Sequence, residues 1–235
     1  MPYSFTLADL EILKQWDTPT ICNGLEIIAP ERRALGFTVE PMVAADRTFP
    51  PIVGLARTGM IRAREKPRGH VTDRMAWYEY VAAKPGEEGG LPTIAILQDL
   101  DANEGFGAFW GEVQTTVHKA LGTIGCVTNG SFRDLDMLAP GFQIIGGRIG
   151  PSHAWVHTVD YGKPVDVFGM QVVHDDVIHA DFHGAVVIPA DCVKRLPAAI
   201  DLVSRREKVI LDLCAQPDFS LATLRSALQQ AGEIH

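Results

Sequence analysis

Apolar positions in this chain change their period along its length, from helical spacing at the start to short strand-like runs in the second half. Leu7, Leu10 and Leu13, with the neighbouring Ile12, recur as on a helix, and Thr6 stands where a hydroxyl can cap its first turn. Thr18-Pro19 reads as a second helix start with Pro19 at the first helical position, and Ile21, Leu25 and Ile28 share one face. Residues 29–51, broken by proline and arginine, read as loop, and 52–61 as a loosely alternating strand. Asp73 is placed to cap a helix through Tyr80 and Val81 that Pro85-Gly86 would stop. Residues 93–97 predict a buried strand, and Val113, Val117, Ala120 and Leu121 a helix opened by Gly111-Glu112. Residues 122–128 predict another buried strand, ended by an Asn129-Gly130 turn. Beyond it come short apolar runs at Ile144-Ile145, Val165-Asp166-Val167-Phe168, Gln171-Val172-Val173, Val177-Ile178-His179 and Ala185-Val186-Val187-Ile188. A long helix from about 197 to 214 and a shorter one from Ser220 close the chain. Helices first, strands later and helices last predict a mixed α/β sandwich, one domain over 1–235, rather than a regular βαβ alternation.

Length and charge narrow the classes. A chain of 235 residues can bury a large core. Its 21 basic and 29 acidic residues leave a net charge of −8, which argues against a nucleic-acid surface. Cys22, Cys126, Cys192 and Cys214 are widely spaced and form no Cys-x-x-Cys pair, so reduced, buried thiols are expected. No secretory signal and no stretch of membrane-spanning length is visible, and a cytoplasmic protein is the expectation.

The chemistry gathers around Gly130-Ser131-Phe132-Arg133-Asp134. An Arg-Asp pair just past a strand lies at a rim, and the helix opened by Gly111-Glu112 can bring Glu112 beside it. Two carboxylates and a guanidinium suit a divalent cation plus an anionic substrate: hard oxygen ligands and a planar donor fork. The plainer alternative is a surface ion pair of little energetic consequence. The loop Gly105-Phe106-Gly107-Ala108-Phe109-Trp110-Gly111 has strand-to-helix context, but its spacing misses G-x-G-x-x-G by one residue. A small carboxylate held by the amides of Val113 and Gln114, or a loop packed for shape, competes with a nucleotide there.

His179, Asp181 and His183 alternate as a metal triad would on a continuous strand. The Phe182-His183-Gly184 turn favours the structural alternative, with Asp181 bonding turn amides. His153 and His157 are placed in a loop after Gly146-Gly147, either near substrate or solvated. In the closing helix, Ile200, Val203, Ile210, Leu211 and Cys214 form a stripe, and Glu207 falls in its gap. A carboxylate there either reaches water or acts at a site.

Three spaced blocks resemble the RraA-like family, which includes metal-dependent 4-hydroxy-4-methyl-2-oxoglutarate aldolases and oxaloacetate decarboxylases. They are Gly111-Glu112; Gly122-x-x-Gly125-x-Val127-x-x-Gly130-x-x-Arg133-Asp134; and Asp176-x-x-x-Ala180-Asp181-x-x-Gly184-Ala185-Val186-Val187-Ile188-Pro189. The resemblance runs from about Thr18 to the final helices. It implies a swivelling-domain-like α/β/β sandwich assembling as a homotrimer or dimer of trimers. It further implies Mg²⁺ or Mn²⁺ bound directly by Asp134 and through water by Glu112. Arg133 would grip the substrate carboxylate, with Gly111, Val113 and Gln114 at the helix start. Glu207 would reach a neighbouring subunit's site. Asn129, Glu112 and Asn23 stand where relatives tend to carry aspartate, and His153, Trp155, His157, His179 and His183 resemble a subgroup. The implied function is a carbon–carbon lyase acting on a small 2-oxo or hydroxy-oxo acid. A non-catalytic trimeric regulator of a partner such as a ribonuclease is the alternative, and a nucleotide-dependent enzyme a third.

Overall fold

The computed structural model describes residues 3–68, 72–83 and 90–234, so the expected helix stop at Pro85-Gly86 lies outside the described residues. The helices are α1 (Leu7–Leu13), α2 (Thr18–Ile28), α3 (Arg74–Ala82), α4 (Glu112–Ala120), α5 (Leu196–Cys214) and α6 (Leu221–Glu233). The strands are β1 (Val43–Ala44), β2 (Ile52–Arg62), β3 (Thr93–Asp99), β4 (Ala108–Trp110), β5 (Thr123–Phe132) and β6 (Gln143–Ile149). They continue with β7 (His157–Tyr161), β8 (Val165–Val167), β9 (Met170–Val172), β10 (Val177–Asp181) and β11 (Gly184–Ile188). Caps set several of these starts. Thr6 and Asp9 form a capping box on α1, and Asp73 caps α3. Asp17, one residue before the expected start, caps α2.

The main sheet runs β1-β6-β5-β3-β2-β10-β11, with β4 added beside β5 and β7 beside β2. Its centre is parallel: β2 pairs β3, β3 pairs β5, and β5 pairs β6 in one direction. Antiparallel β10 and β11 complete one side. Side-chain alternation divides the core into layers. From β3, Ala95 and Leu97 enter a cluster under α3 and α4, while Ile94 and Ile96 face the opposite way. That opposite face is covered by the β8–β9 hairpin through Val165, Val167, Met170 and Val172. On the helical side, α1, α2 and α5 pack Leu10, Leu13, Ile21, Leu196 and Ile200 against Val53, Leu55 and Val177. Helices, mixed sheet and hairpin make the α/β/β sandwich expected.

The structure corrects several local expectations. The Asn129-Gly130 dipeptide is not a turn but lies inside β5, where the β5–β6 register shifts between Thr128 and Ser131. Asn129 is buried, and its Oδ1 accepts the Asp99 N–H at 2.7 Å while its Nδ2 donates to the Asp99 carbonyl at 3.2 Å. These bonds tie the bulge to the end of β3, so the strand continues to Phe132. Residues 29–51 are not wholly loop: they include a 3₁₀ turn at Pro30–Arg32 and the short β1. Two helices, α3 and α4, each connect neighbouring parallel strands, so the sheet's centre is more βαβ-like than the hydrophobic pattern suggests.

On α4, Val113 is exposed and the buried positions are Thr115 and His118. Cys214, expected to be buried, is exposed along with Leu211, while Ile200 nearer the start of α5 is in the core. No described helix is long and apolar enough to cross a membrane.

Candidate functional site

Strands β4 and β5 run parallel with Trp110 opposite Phe132, so both deliver their next residues to the same edge. The Arg133 N–H extends the pairing by donating to the Trp110 carbonyl at 3.0 Å. The chain then turns at Asp134, whose φ of 57° and ψ of 41° are left-handed, a conformation that aspartate tolerates better than most residues. The Met137 N–H closes this turn on the Asp134 carbonyl at 2.8 Å.

This geometry throws the Asp134 carboxylate back over the start of α4. Its Oδ2 accepts the Glu112 N–H at 3.2 Å and lies 3.4 Å from Arg133 Nε. Gly111, the N-cap residue, has no side chain to cap with, so a carboxylate from another strand takes that part. A Cβ on Gly111 would lie 2.5 Å from Asp134 Oδ2, so glycine alone leaves room for it. The structure therefore brings together Gly111, Glu112, Arg133 and Asp134 as the sequence suggested. The amides of Val113 and Gln114, first-turn donors without intrahelical acceptors, belong to the same wall.

These residues line a cleft of about 670 Å³, whose other wall carries Arg74, Met137, His153, Trp155 and His157. Both expected histidines thus reach the cleft, although His157 opens β7 rather than lying in a loop. His153 Nδ1 is 2.8 Å from the Ala154 carbonyl and His157 Nδ1 is 2.8 Å from the Trp155 carbonyl. A carbonyl only accepts, so Nδ1 carries the proton in each and Nε2 is left as the acceptor of the neutral ring. In the glycine loop, a Cβ on Gly107 would lie 2.6 Å from the His153 carbonyl. Close approach of backbones explains that glycine without a nucleotide.

Behind α4 lies a residue that sequence reading missed. His118 is fully buried among Trp77, Tyr78, Phe109 and Trp110. Trp77 Nε1–H donates to His118 Nε2 at 3.0 Å, which places the imidazole proton on Nδ1, donating to the Gln114 carbonyl at 2.7 Å. Burial lowers its pKa from 6.5 to about 4, so the ring is neutral. Tyr78 holds the Gln114 side chain as well, O–H to Oε1 at 3.2 Å. Adjacent residues of α3 thereby fix the first turn of α4. The signal in the sequence was the aromatic pair Trp77-Tyr78, which has no reason to sit on a solvated helix.

The His179, Asp181 and His183 series has a structural role. Asp181 Oδ2 accepts the Thr18 N–H at 2.9 Å, and its Oδ1 accepts the His183 N–H at 2.8 Å across the β10–β11 hairpin. His179 is buried and donates from Nε2 to the Trp16 carbonyl at 3.0 Å, while Thr18 Oγ1 lies 3.0 Å from Nδ1. Together they pin the corner between α1 and α2. Glu207 does not line the cleft in its own chain: it is exposed on α5, 3.5 Å from Asn23 Nδ2.

Among the described residues, no three His, Cys, Asp or Glu side chains converge to hold a metal. A Mg²⁺-type ion needs only one or two protein carboxylates because it keeps several waters. Asp134 Oδ1 has no hydrogen-bond partner among the described residues, and Glu112, its side chain exposed, lines the same cleft. The donors fit Mg²⁺ or Mn²⁺.

The family described as RraA-like, Aldolase/RraA, matches residues 18–187, well over half of the chain. The chain belongs to the RraA-like family. The RraA-like match ends at β11, so α5 and α6, expected to fall within the resemblance, lie beyond the matched span. No curated protein matches significantly. Among solved structures, an uncharacterized protein from Pseudomonas syringae pv. tomato superposes with a TM-score of 0.69 at 17% identity, covering 100% of this chain and 96% of that one. RraAS2 of Streptomyces coelicolor, described as an unusual member of the RNase ES inhibitor RraA protein family, has a TM-score of 0.65. Its identity is 23%, over 85% of this chain and 94% of that one. A structure described under novel cellulases from microbes of the gut ecosystem has a TM-score of 0.68 at 14% identity, covering 88% and 89%. At these identities the likeness is one of fold.

Proposed function

We propose that this RraA-like chain is a divalent-metal-dependent carbon–carbon lyase acting on a 2-oxo or hydroxy-oxo acid. The observation that supports it most is the Asp134 carboxylate turned back over Gly111, next to Arg133 and the free amides of a helix start. When bound by Asp134 directly and by Glu112 through water, Mg²⁺ or Mn²⁺ would supply Lewis acidity at the 2-oxo group. Arg133 would hold the substrate carboxylate by a charge-assisted pair. The Val113 and Gln114 amides, at the positive end of α4, would face the negative charge that develops as an enolate forms. The Glu112 carboxylate, exposed on the cleft wall, would receive the hydroxyl proton released in a retro-aldol cleavage. Decarboxylation needs only the enolate-stabilising half of this machinery. A homotrimer or dimer of trimers is the assembly proposed with it.

The family includes both metal-dependent lyases and ribonuclease inhibitors, so a regulator is the second reading; the polar chemistry gathered in the cleft favours the enzyme. The test is thermal melting with Mn²⁺ and oxalate, an enolate mimic, followed by assay against a set of 2-oxo acids. Asp134→Asn is the informative variant, since asparagine also tolerates the left-handed turn. Wild type should gain several degrees from Mn²⁺ with oxalate and turn over at least one acid, and the variant should do neither. Turnover that survives both EDTA and Asp134→Asn would refute the assignment.

A further inference from the structure

Next to the Asp134 cleft lies a second concavity of about 480 Å³, and the two share Pro67 and His157 in their walls. A small 2-oxo acid does not need this much room; cavities of roughly 300–1,000 Å³ take drug-sized ligands. The second concavity is cationic in a chain whose net charge is −8: it is lined by Arg62, Arg64, Lys66 and Arg68 against Glu65 and Asp101. Arg68 is paired with Glu65 at 3.3 Å and Arg62 with Asp101 at 3.7 Å. Arg64 and Lys66 have no carboxylate partner among the described residues. Each lies instead over an aromatic ring, Arg64 5.5 Å from the centre of Phe106 and Lys66 4.7 Å from that of Trp155. Both rings are about half exposed, Phe106 at 45% and Trp155 at 52%. Two cations without a carboxylate partner, beside two half-exposed rings, are suited to an anion carried on a flat apolar frame.

The backbone here is held firmly. Arg62 and His157 are register partners where β2 pairs with β7. The buried Asp101 carboxylate accepts both the Ala63 and Arg64 N–H groups at 2.8 Å, and the Trp155 N–H donates to the Ala63 carbonyl at 3.0 Å. The segments that carry the cations and the aromatic wall are thus laced together from a buried acid. A cation row serving only solubility would need no such anchor.

We infer that the cleft continues into a second anion subsite, formed by Arg62, Arg64, Lys66 and His157, which takes a phosphate or carboxylate borne on a planar apolar group lying along Trp155. That this anion is the far end of the substrate whose 2-oxo acid head lies at Arg133 rests on the lyase reading. The substrate class is then a two-ended acid with a flat middle, larger than pyruvate or oxaloacetate.

Calorimetric titration of the full chain separates the two ends. Phenyl phosphate and benzoate probe the tail subsite alone, oxalate with Mn²⁺ the head alone, and Arg64→Ala/Lys66→Ala removes the two exposed cations that lack a carboxylate partner. Phenyl phosphate or benzoate should bind saturably, including to protein already saturated with oxalate. The double variant should weaken that binding roughly tenfold while leaving oxalate unchanged. The preferred probe tells phosphate from carboxylate. No saturable binding of either probe, or equal binding by wild type and variant, overturns the subsite, as does a single-stranded RNA that binds this face when both probes fail. If the tail probes bind as expected while oxalate with Mn²⁺ does not, the subsite stands and the lyase reading falls.

Discussion

The contact between Asp134 and Gly111 concentrates the chemistry of the site into one atom's worth of space. Gly111 has φ near 180°, an extended backbone open to any residue, so its requirement is steric. Alanine there would place a Cβ 2.5 Å from Asp134 Oδ2 and 3.2 Å from Arg133 Cγ. The carboxylate would have to swing away, losing both its bond to the Glu112 amide and its place beside Arg133. Gly111→Ala should therefore lower kcat/KM on the order of tenfold or more, through the loss of about 1.5–3 kcal/mol of charge-assisted bonding, and shift the melting temperature little. Gly232→Ala is the control, because nothing lies within 4 Å of a Cβ at that helical position. Equal activity in the two variants would show that the Asp134 carboxylate does not need its seat.

At the scale of elements, the site depends on how α3 grips α4. The His118 ring accepts from Trp77 only while neutral, and its pKa falls from 6.5 in the unfolded chain to about 4 in the fold because it is buried. The unfolded chain binds the extra proton between those values, so stability contributed by the neutral ring is complete above about pH 6.5 and is lost as pH falls toward 4. At about 1.36 kcal/mol per pKa unit the loss reaches about 2 kcal/mol by pH 5. Buried His179, whose pKa is also lowered chiefly by desolvation, adds in the same direction. Asp99 and Asp176, raised by burial, act with the opposite sign where carboxylates titrate. Urea melts should show falling stability from pH 7 to pH 5, with a shallower fall in His118→Phe. An unchanged slope in that variant would mean that His118 is not the titrating group.

Elements also mark how far the sequence could be read. Caps and helical periodicity placed the starts of α1, α2 and α3 almost to the residue, and the preceding strand placed Arg133 and Asp134 at a rim. The hydrophobic pattern did not reveal the three-residue β4, which is too short to show an alternation. Yet β4 is what delivers Gly111 beside Arg133. Asn129-Gly130 misled because its turn signal is local, whereas the bonds that keep it in a strand come from Asp99, thirty positions away in the chain. His118 was missed for a similar reason, the Trp77-Tyr78 pair being only an indirect sign of it. Its pocket is assembled from β4, α3 and α4, and a single helix wheel shows only that it is polar.

At the scale of the whole molecule, α5 matters most. Glu207 is exposed and touches Asn23 rather than the Asp134 cleft, so a part in catalysis would have to be played in a neighbouring copy. If the trimer proposed above forms, Glu207→Gln should lower turnover without dissociating it. Mixed trimers of Glu207→Gln and Asp134→Ala chains should then recover part of the activity, since some interfaces pair two intact residues. Absence of recovery, with subunit exchange verified by mass, would remove the cross-subunit role.

The clasp of His179 and Asp181 on Trp16 and Thr18 has a bearing on how the chain is made. Phe5, Leu10, Leu13 and Ile21 near the start of the chain share a core with Val53 and Leu55 of β2, but most of their cover comes from Val177, Val186, Ile188, Leu196 and Ile200. During vectorial synthesis α1 and α2 emerge more than a hundred and fifty residues before the segments that complete this cover. With synthesis at roughly 5–20 residues per second, their apolar faces stay incompletely covered for on the order of ten seconds or more. Nascent chains stalled before residue 177 should therefore engage chaperone holdases through α1 and α2, and let them go once α5 has cleared the ribosome.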